Sequence, residues 1–146
     1  MIRTLVGLCG CLLFAATLQG CVMTSAPFQA QQISSGEALV YLYRPESFIS
    51  RGTHFRAIIN DDKVVGPLIN NGHIPLHVKP GHLKVELQMN SFPKSTYDTA
   101  VYDNIVAGET YYLKANPAML GAYTLVKMDP TVGDNEVRLT SFYSPK

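Results

Sequence analysis

The stretch His82-Leu83-Lys84-Val85-Glu86-Leu87-Gln88-Met89 alternates polar and apolar residues without a break. Successive side chains of an extended strand point to opposite faces, so Leu83, Val85, Leu87 and Met89 share one face. Such a strand belongs to a sheet with a core on one side and water on the other. The same period recurs at Thr110–Lys114, where Tyr111 and Leu113 oppose Thr110, Tyr112 and Lys114. It recurs again at Glu136–Phe142, where Val137 and Leu139 oppose Glu136, Arg138 and Thr140. Ala38–Arg44 is almost wholly apolar and aromatic and stops at Pro45, as a well-buried strand does.

Turn residues separate these runs at Asn60-Asp61-Asp62, Asn70-Asn71-Gly72, Pro80-Gly81, Ala107-Gly108 and Gly133-Asp134-Asn135. Asn, Asp and Gly tolerate positive φ, and Pro presets the first corner of a turn. Short strands with turn signals every ~8–12 residues predict a sandwich or barrel. No helix is expected; Asn116–Tyr123 offers at most a single turn. The economical reading is all-β, with one core between two antiparallel sheets.

All three cysteines, Cys9, Cys11 and Cys21, lie at the start of the chain. Arg3 precedes an apolar run from Leu5 to Leu18, broken only by Gly7, Gly10 and Thr17. The run falls short of the ~20 apolar residues of a membrane span and has the layout of a secretory signal. The sequence Leu18-Gln19-Gly20-Cys21 that ends it resembles the lipobox of bacterial lipoprotein precursors. That resemblance implies cleavage before Cys21, diacylation of its thiol and acylation of the new amino terminus. Residues 1–20 are then a lipoprotein signal peptide, and Cys9 and Cys11 leave with it. The remaining chain has no free thiol, which excludes disulfides, thiol catalysis and cysteine-built metal sites. Two or three acyl chains hold a protein to a membrane far more firmly than one. Val22, where an Asp would retain the protein at the inner membrane, implies by the same resemblance an outer-membrane protein facing the periplasm.

The 146-residue chain holds 12 Lys and Arg against 11 Asp and Glu, and losing Arg3 makes the two equal. Without a basic excess or a charge run, nucleic acid is not an expected partner. Residues 21–36 read as the lipidated cysteine and a flexible, uncharged tether, Ser- and Gln-rich. Fully extended, the tether reaches on the order of 50 Å, at about 3.3 Å per residue. Residues 37–146 form the domain.

Three stretches, 36–45, 57–87 and 106–116, resemble a family of small bacterial envelope lipoproteins of unknown function. The shared features are a first strand ending in Tyr43-Arg44-Pro45, a hairpin through Asn60-Asp61, and Pro80-Gly81-His82 before the next strand. The middle stretch is also similar, more loosely, to the PEGA domain pattern. The resemblance implies an immunoglobulin-like or transthyretin-like sandwich on a lipid anchor, and no activity.

His73 and His77 lie about 13 Å apart on one strand face, too far to share a metal ion, and read as solvent-facing. Asp61-Asp62 favours a turn and lacks the oxygen spacing of a calcium loop. No nucleophile elbow or phosphate-cradling loop occurs, so neither an enzyme nor a cofactor is expected. The segment from Arg44 to Ala57 is the least strand-like. Arg44, Phe48, Ile49, Arg51 and Arg56 are the candidate contacts for an envelope protein partner, apolar anchors set among guanidinium groups. The competing reading has the aromatic residues capping an open end of the sandwich. The expected function is a non-catalytic, lipid-anchored binding or scaffolding module. The alternatives are an accessory lipoprotein of a secretion or envelope-assembly complex, and a hydrolase of cell-wall or lipid substrates.

Overall fold

A computed structural model describes residues 24–89, 95–118 and 121–144. The strands are β1 (Thr24–Pro27), β2 (Ala38–Arg44), β3 (Phe55–Ile59), β4 (Lys63–Leu68) and β5 (Gly72–Val78), followed by β6 (Gly81–Met89), β7 (Thr96–Ile105), β8 (Thr110–Pro117), β9 (Tyr123–Lys127) and β10 (Ser141–Ser144). One helix, α1 (Pro130–Val137), lies between β9 and β10.

The strands form two sheets, a six-stranded one in the order β1-β10-β5-β2-β8-β9 and a four-stranded one in the order β4-β3-β6-β7. The fold is an all-β sandwich. The smaller sheet is antiparallel throughout, whereas in the larger one β2 runs parallel to β8 and β10 parallel to β5. Val40, Leu42, Phe55, Ala57, Leu68, Leu83, Val85, Leu87, Leu113 and Tyr123 fill the space between the sheets. The alternation of β6 is realised as expected, with Leu83, Val85 and Leu87 inside. Every residue of β2 is buried, because both faces of that central strand are covered.

The second cover comes from parts of the chain whose sequence pattern points elsewhere. Glu136 and Val137 end a helix rather than begin a strand, and only Ser141–Ser144 is extended. Local chemistry decides this: the Asp129 carboxylate accepts hydrogen bonds from the Thr131 and Val132 amides, at 2.9 and 3.4 Å. Pro130 opens the helix, where its missing N–H costs nothing. With the helix in place, Val137 packs on the outer face of the larger sheet against Leu39, Tyr41, Tyr43 and Tyr112. Tyr112 is thus buried although its strand parity predicts a wet face.

The expected tether is also part of the domain. Thr24–Pro27 pairs antiparallel with β10, Ser25 opposite Tyr143 and Ala26 opposite Phe142. Phe28 then turns onto the outer face, with ring centroids 5.4 Å from Tyr41 and 5.2 Å from His73. The Gln31 amide donates to the Tyr41 hydroxyl at 2.8 Å. Unpaired backbone and exposed aromatic surface are costly, and both are removed when this segment lies on the sheet.

Candidate functional site

The strands of the larger sheet deliver Arg44, Gly72 and Ser141 to one end of the sandwich. The loop from Pro45 to His54 covers that end. Its organiser is Arg44, which is fully buried. The guanidinium lies between two rings, 5.0 Å from the centroid of Phe55 and 4.9 Å from that of Tyr123. Its Nη1 donates to the Thr53 carbonyl at 2.6 Å. Its Nη2 donates to the Ser50 carbonyl at 2.7 Å and to the Tyr123 hydroxyl at 2.8 Å. The Tyr123 hydroxyl donates in turn to the Ile49 carbonyl at 3.0 Å. Burial lowers the pKa of Arg44, yet a guanidinium remains charged in protein interiors. A buried cation held by carbonyls and π-faces thus grips the loop from beneath.

The upper side of the loop is exposed. Phe48 is 89% accessible and Ile49 52%. The reading of Phe48 as a lid on the core is therefore excluded. Arg51 leans over the Phe48 ring at 5.8 Å and reaches Glu46 at 3.3 Å. Both partners of that ion pair are largely solvated, so it adds little stability. The Ser47 amide donates to Asn70 Oδ1 at 3.0 Å, and the Ile49 amide to Ser47 Oγ at 3.1 Å. Ser50 is held at φ 53°.

Of the five candidate contact residues, three come together at the surface: Phe48, Ile49 and Arg51. Arg44 points into the protein. Arg56 lies on β3, where its Nη2 donates at 2.9 Å to the side chain of its cross-strand neighbour Gln88. Its period-two position puts it on the outer face of the smaller sheet, away from the loop. Cys21 lies outside the described residues.

Beside the loop, Pro45, Glu46, Asn71, Glu136, Leu139 and Thr140 line a groove of about 340 Å³. Leu139, just past α1, is 78% exposed at its rim. Glu136 accepts from the Tyr43 hydroxyl at 2.6 Å and from Lys114 Nζ at 2.9 Å. Burial alone raises the Glu136 pKa, but these two donors outweigh it and leave the carboxyl below its ordinary range. Burial and the same hydrogen bond push the Tyr43 phenol far above its usual value. The groove wall is therefore an ionised carboxylate whose charge is already answered by Lys114.

His73 is buried rather than solvent-facing. Its Nδ1 lies 2.9 Å from Thr140 Oγ1, which itself donates to the Val137 carbonyl at 2.6 Å. The threonine proton is committed to that carbonyl, so Nδ1 carries the hydrogen and donates to Oγ1. Burial pushes His73 down to about 4, which keeps it neutral. No period in the sequence marks this histidine, because what buries it is Phe28 and Phe142, from the segments misread as tether and as the end of a longer strand. His77 sits near Ser34 Oγ at 3.3 Å and Glu37 at 3.6 Å, while His82 faces Asp103 at 3.6 Å in solvent. A scan against protein-family models found no match to this chain, and a search of curated proteins found none.

Proposed function

We propose that this chain is a non-catalytic, lipid-anchored envelope protein whose sandwich presents the Ser47–Arg51 loop to a protein partner. The observation that carries the reading is the loop itself, in which a buried Arg44 fixes the backbone while Phe48 and Ile49 stand in water. An aromatic anchor on a preorganised loop loses little entropy on binding, and aromatic and arginine side chains dominate interface energetics. The neighbouring groove, with Leu139 at its rim, extends the apolar surface that a partner would cover. The lipobox supplies the anchor, and Val22 supports the periplasmic side of an outer membrane. An accessory role in a secretion or envelope-assembly complex is the narrower form of the same reading.

The test uses the full chain in its native envelope. Acyl labelling lost in Cys21→Ser supports the anchor. A photo-crosslinking residue at position 48 is expected to capture one discrete partner. Phe48→Ala combined with Arg51→Ala is expected to reduce that partner's co-purification without lowering the thermal midpoint. Undiminished co-purification sinks the loop reading, and acyl labelling that survives Cys21→Ser sinks the anchor.

A further inference from the structure

The segment 24–36 lies on the larger sheet before β2 begins. Thr24–Pro27 pairs with β10, Phe28 rests on Tyr41 and His73, and Ser34 Oγ reaches His77 Nδ1 at 3.3 Å. This attachment is slight for its length. No residue from Ser25 to Gly36 is buried, and Phe28 and Ile33 are its only large apolar anchors. The other cover of that face, α1, is held far better. Val137 is fully buried, Tyr43 and Lys114 bond to Glu136, and Tyr112 bonds to Asp134. Sparse burial and solvent-exposed backbone mark the parts of a protein that open first.

Beneath the segment lies His73. The Phe28 ring is 5.2 Å from it, Phe142 of β10 5.9 Å and Tyr41 of β2 6.0 Å, centroid to centroid, and its Nδ1 donates to Thr140. Among the described residues no carboxylate bonds to it. Asp134 is committed to Arg138 and Tyr112, at 2.7 and 3.1 Å, and Glu136 to Tyr43 and Lys114. His77, further along β5, has Glu37 at 3.6 Å for itself. Arg138, 5.5 Å from the centroid of Phe28, brings a like charge to the same group of rings. The segment 24–36 contains no ionisable side chain. Any response of its docking to pH therefore comes from the surface under it.

We infer that residues 24–36 form a releasable strap, which shields His73 when docked and comes away when that imidazole takes up a proton. Of the groups that cover His73, the strap is the one whose departure lets water reach the ring without breaking the core. Burial holds the docked imidazole at about 4, whereas in water it titrates near 6.5. The undocked state therefore binds the proton more tightly, and docking weakens as the pH falls from the upper value towards the lower one. The interval between them caps the fall in the docking constant at about 300-fold. With the strap docked, the domain begins at Thr24, at most about 11 Å from Cys21. With it released, the chain from Cys21 to Ala38 spans on the order of 55 Å. Given the acyl anchor proposed above, acid lengthens the leash on which the domain works. The docking of the strap does not itself depend on that anchor.

The chain has no tryptophan, so Phe28→Trp in the full chain, held in detergent micelles, reports on the strap alone. Its emission is expected to shift to the red between pH 6.5 and about 4, while the far-ultraviolet circular dichroism of the sheets stays unchanged. His73→Gln in the same background should remove that shift. NMR of the unsubstituted chain gives a second reading. Contacts of the Phe28 ring with Tyr41 and His73 should fade across the window, while the stacking of Tyr41 on Tyr112 persists. This reading decides the matter if either variant is already undocked at neutral pH. A shift that His73→Gln leaves in place, or Phe28 contacts that persist through the window, overturns the strap. Loss of the sheet signal together with the shift overturns it too, because the domain then opens as one unit. None of these measurements involves Cys21, so acyl labelling there tests the anchor separately.

Discussion

Gly133 of α1 rests so closely on Tyr112 of β8 that a methyl group at position 133 would overlap the Cβ and Cγ of that tyrosine. The helix can approach the sheet only because this residue has no side chain. Gly133→Ala gains about 1 kcal/mol of helix propensity but forces α1 off its seat, at an overpacking cost of about 1–3 kcal/mol. We expect a net loss in urea denaturation, together with weaker burial of Val137.

The same helix is held by Tyr43 and Glu136, 2.6 Å apart. Tyr43→Phe removes a donor from a half-buried carboxylate that keeps only Lys114. The loss expected on unfolding is about 1.5–3 kcal/mol, as for other hydrogen bonds to charged groups. Glu136→Gln should also destabilise, because Lys114 then loses its counter-charge.

Acid should loosen the outer face of the larger sheet through His73. In the unfolded chain this imidazole takes up a proton near its ordinary value of 6.5, but in the folded protein only at about 4. Between those values the unfolded state binds more protons, so stability is complete above the upper value and declines as the pH falls towards the lower one. His73→Gln should flatten this part of the stability profile. The difference between variant and parent, measured by denaturation across that window, isolates the histidine from the carboxylates that titrate lower.

Arg44→Lys keeps the charge but gives up the planar fork that binds Thr53, Ser50 and Tyr123 together. A loss on the order of 3 kcal/mol is expected. Amide exchange should quicken at Thr53, whose N–H is bonded to the Ser50 carbonyl at 2.9 Å. Unchanged exchange there would mean that the loop does not depend on its buried cation.

Phe48 and Leu87 give opposite expectations for the same operation. Leu87 is fully buried between the sheets, so truncation to Ala should cost about 2–5 kcal/mol. Phe48→Ala removes a larger side chain from water and should stay within about 0.5 kcal/mol of the parent. A large stability loss at Phe48 would contradict the loop geometry.

What could be read from the sequence follows from which faces are covered by neighbouring strands. β6 has a core on one side and solvent on the other, so Leu83, Val85 and Leu87 announce it. β2 announces itself differently, because a strand covered on both sides has no polar face to show. The hairpin through Asn60 and Asp61, both at positive φ, was legible because few residues accept that conformation. The helix was not. Val137 and Leu139 fit a strand's parity, and the Asp129-Pro130 start that overrides it is a local capping event. β1 was hidden for another reason, since a four-residue edge strand carries no period and its partner lies at the far end of the chain. At the loop, the sequence left open whether the aromatic residues face a partner or cap the sandwich, and the structure divides them, with Phe48 in water and Phe55 buried. Which arginine turns inward was not legible, because the rings that receive Arg44 come from β3 and β9.

The pairing of β1 with β10 joins the first and last described strands, and this sets an order of assembly. The β5 edge that β10 covers ends at Val78, far ahead of Ser141 in the chain. Bringing the two chain ends together early would carry the full entropy of closing a domain-length loop. The ends meet cheaply only after the strands between them have folded, so this edge is sealed last. Until then the backbone of β5 is an open strand edge of the kind that recruits other chains. A chain cut short before Ser141 would leave β1 with nothing to pair with, so damage at the C-terminus is felt at the N-terminus.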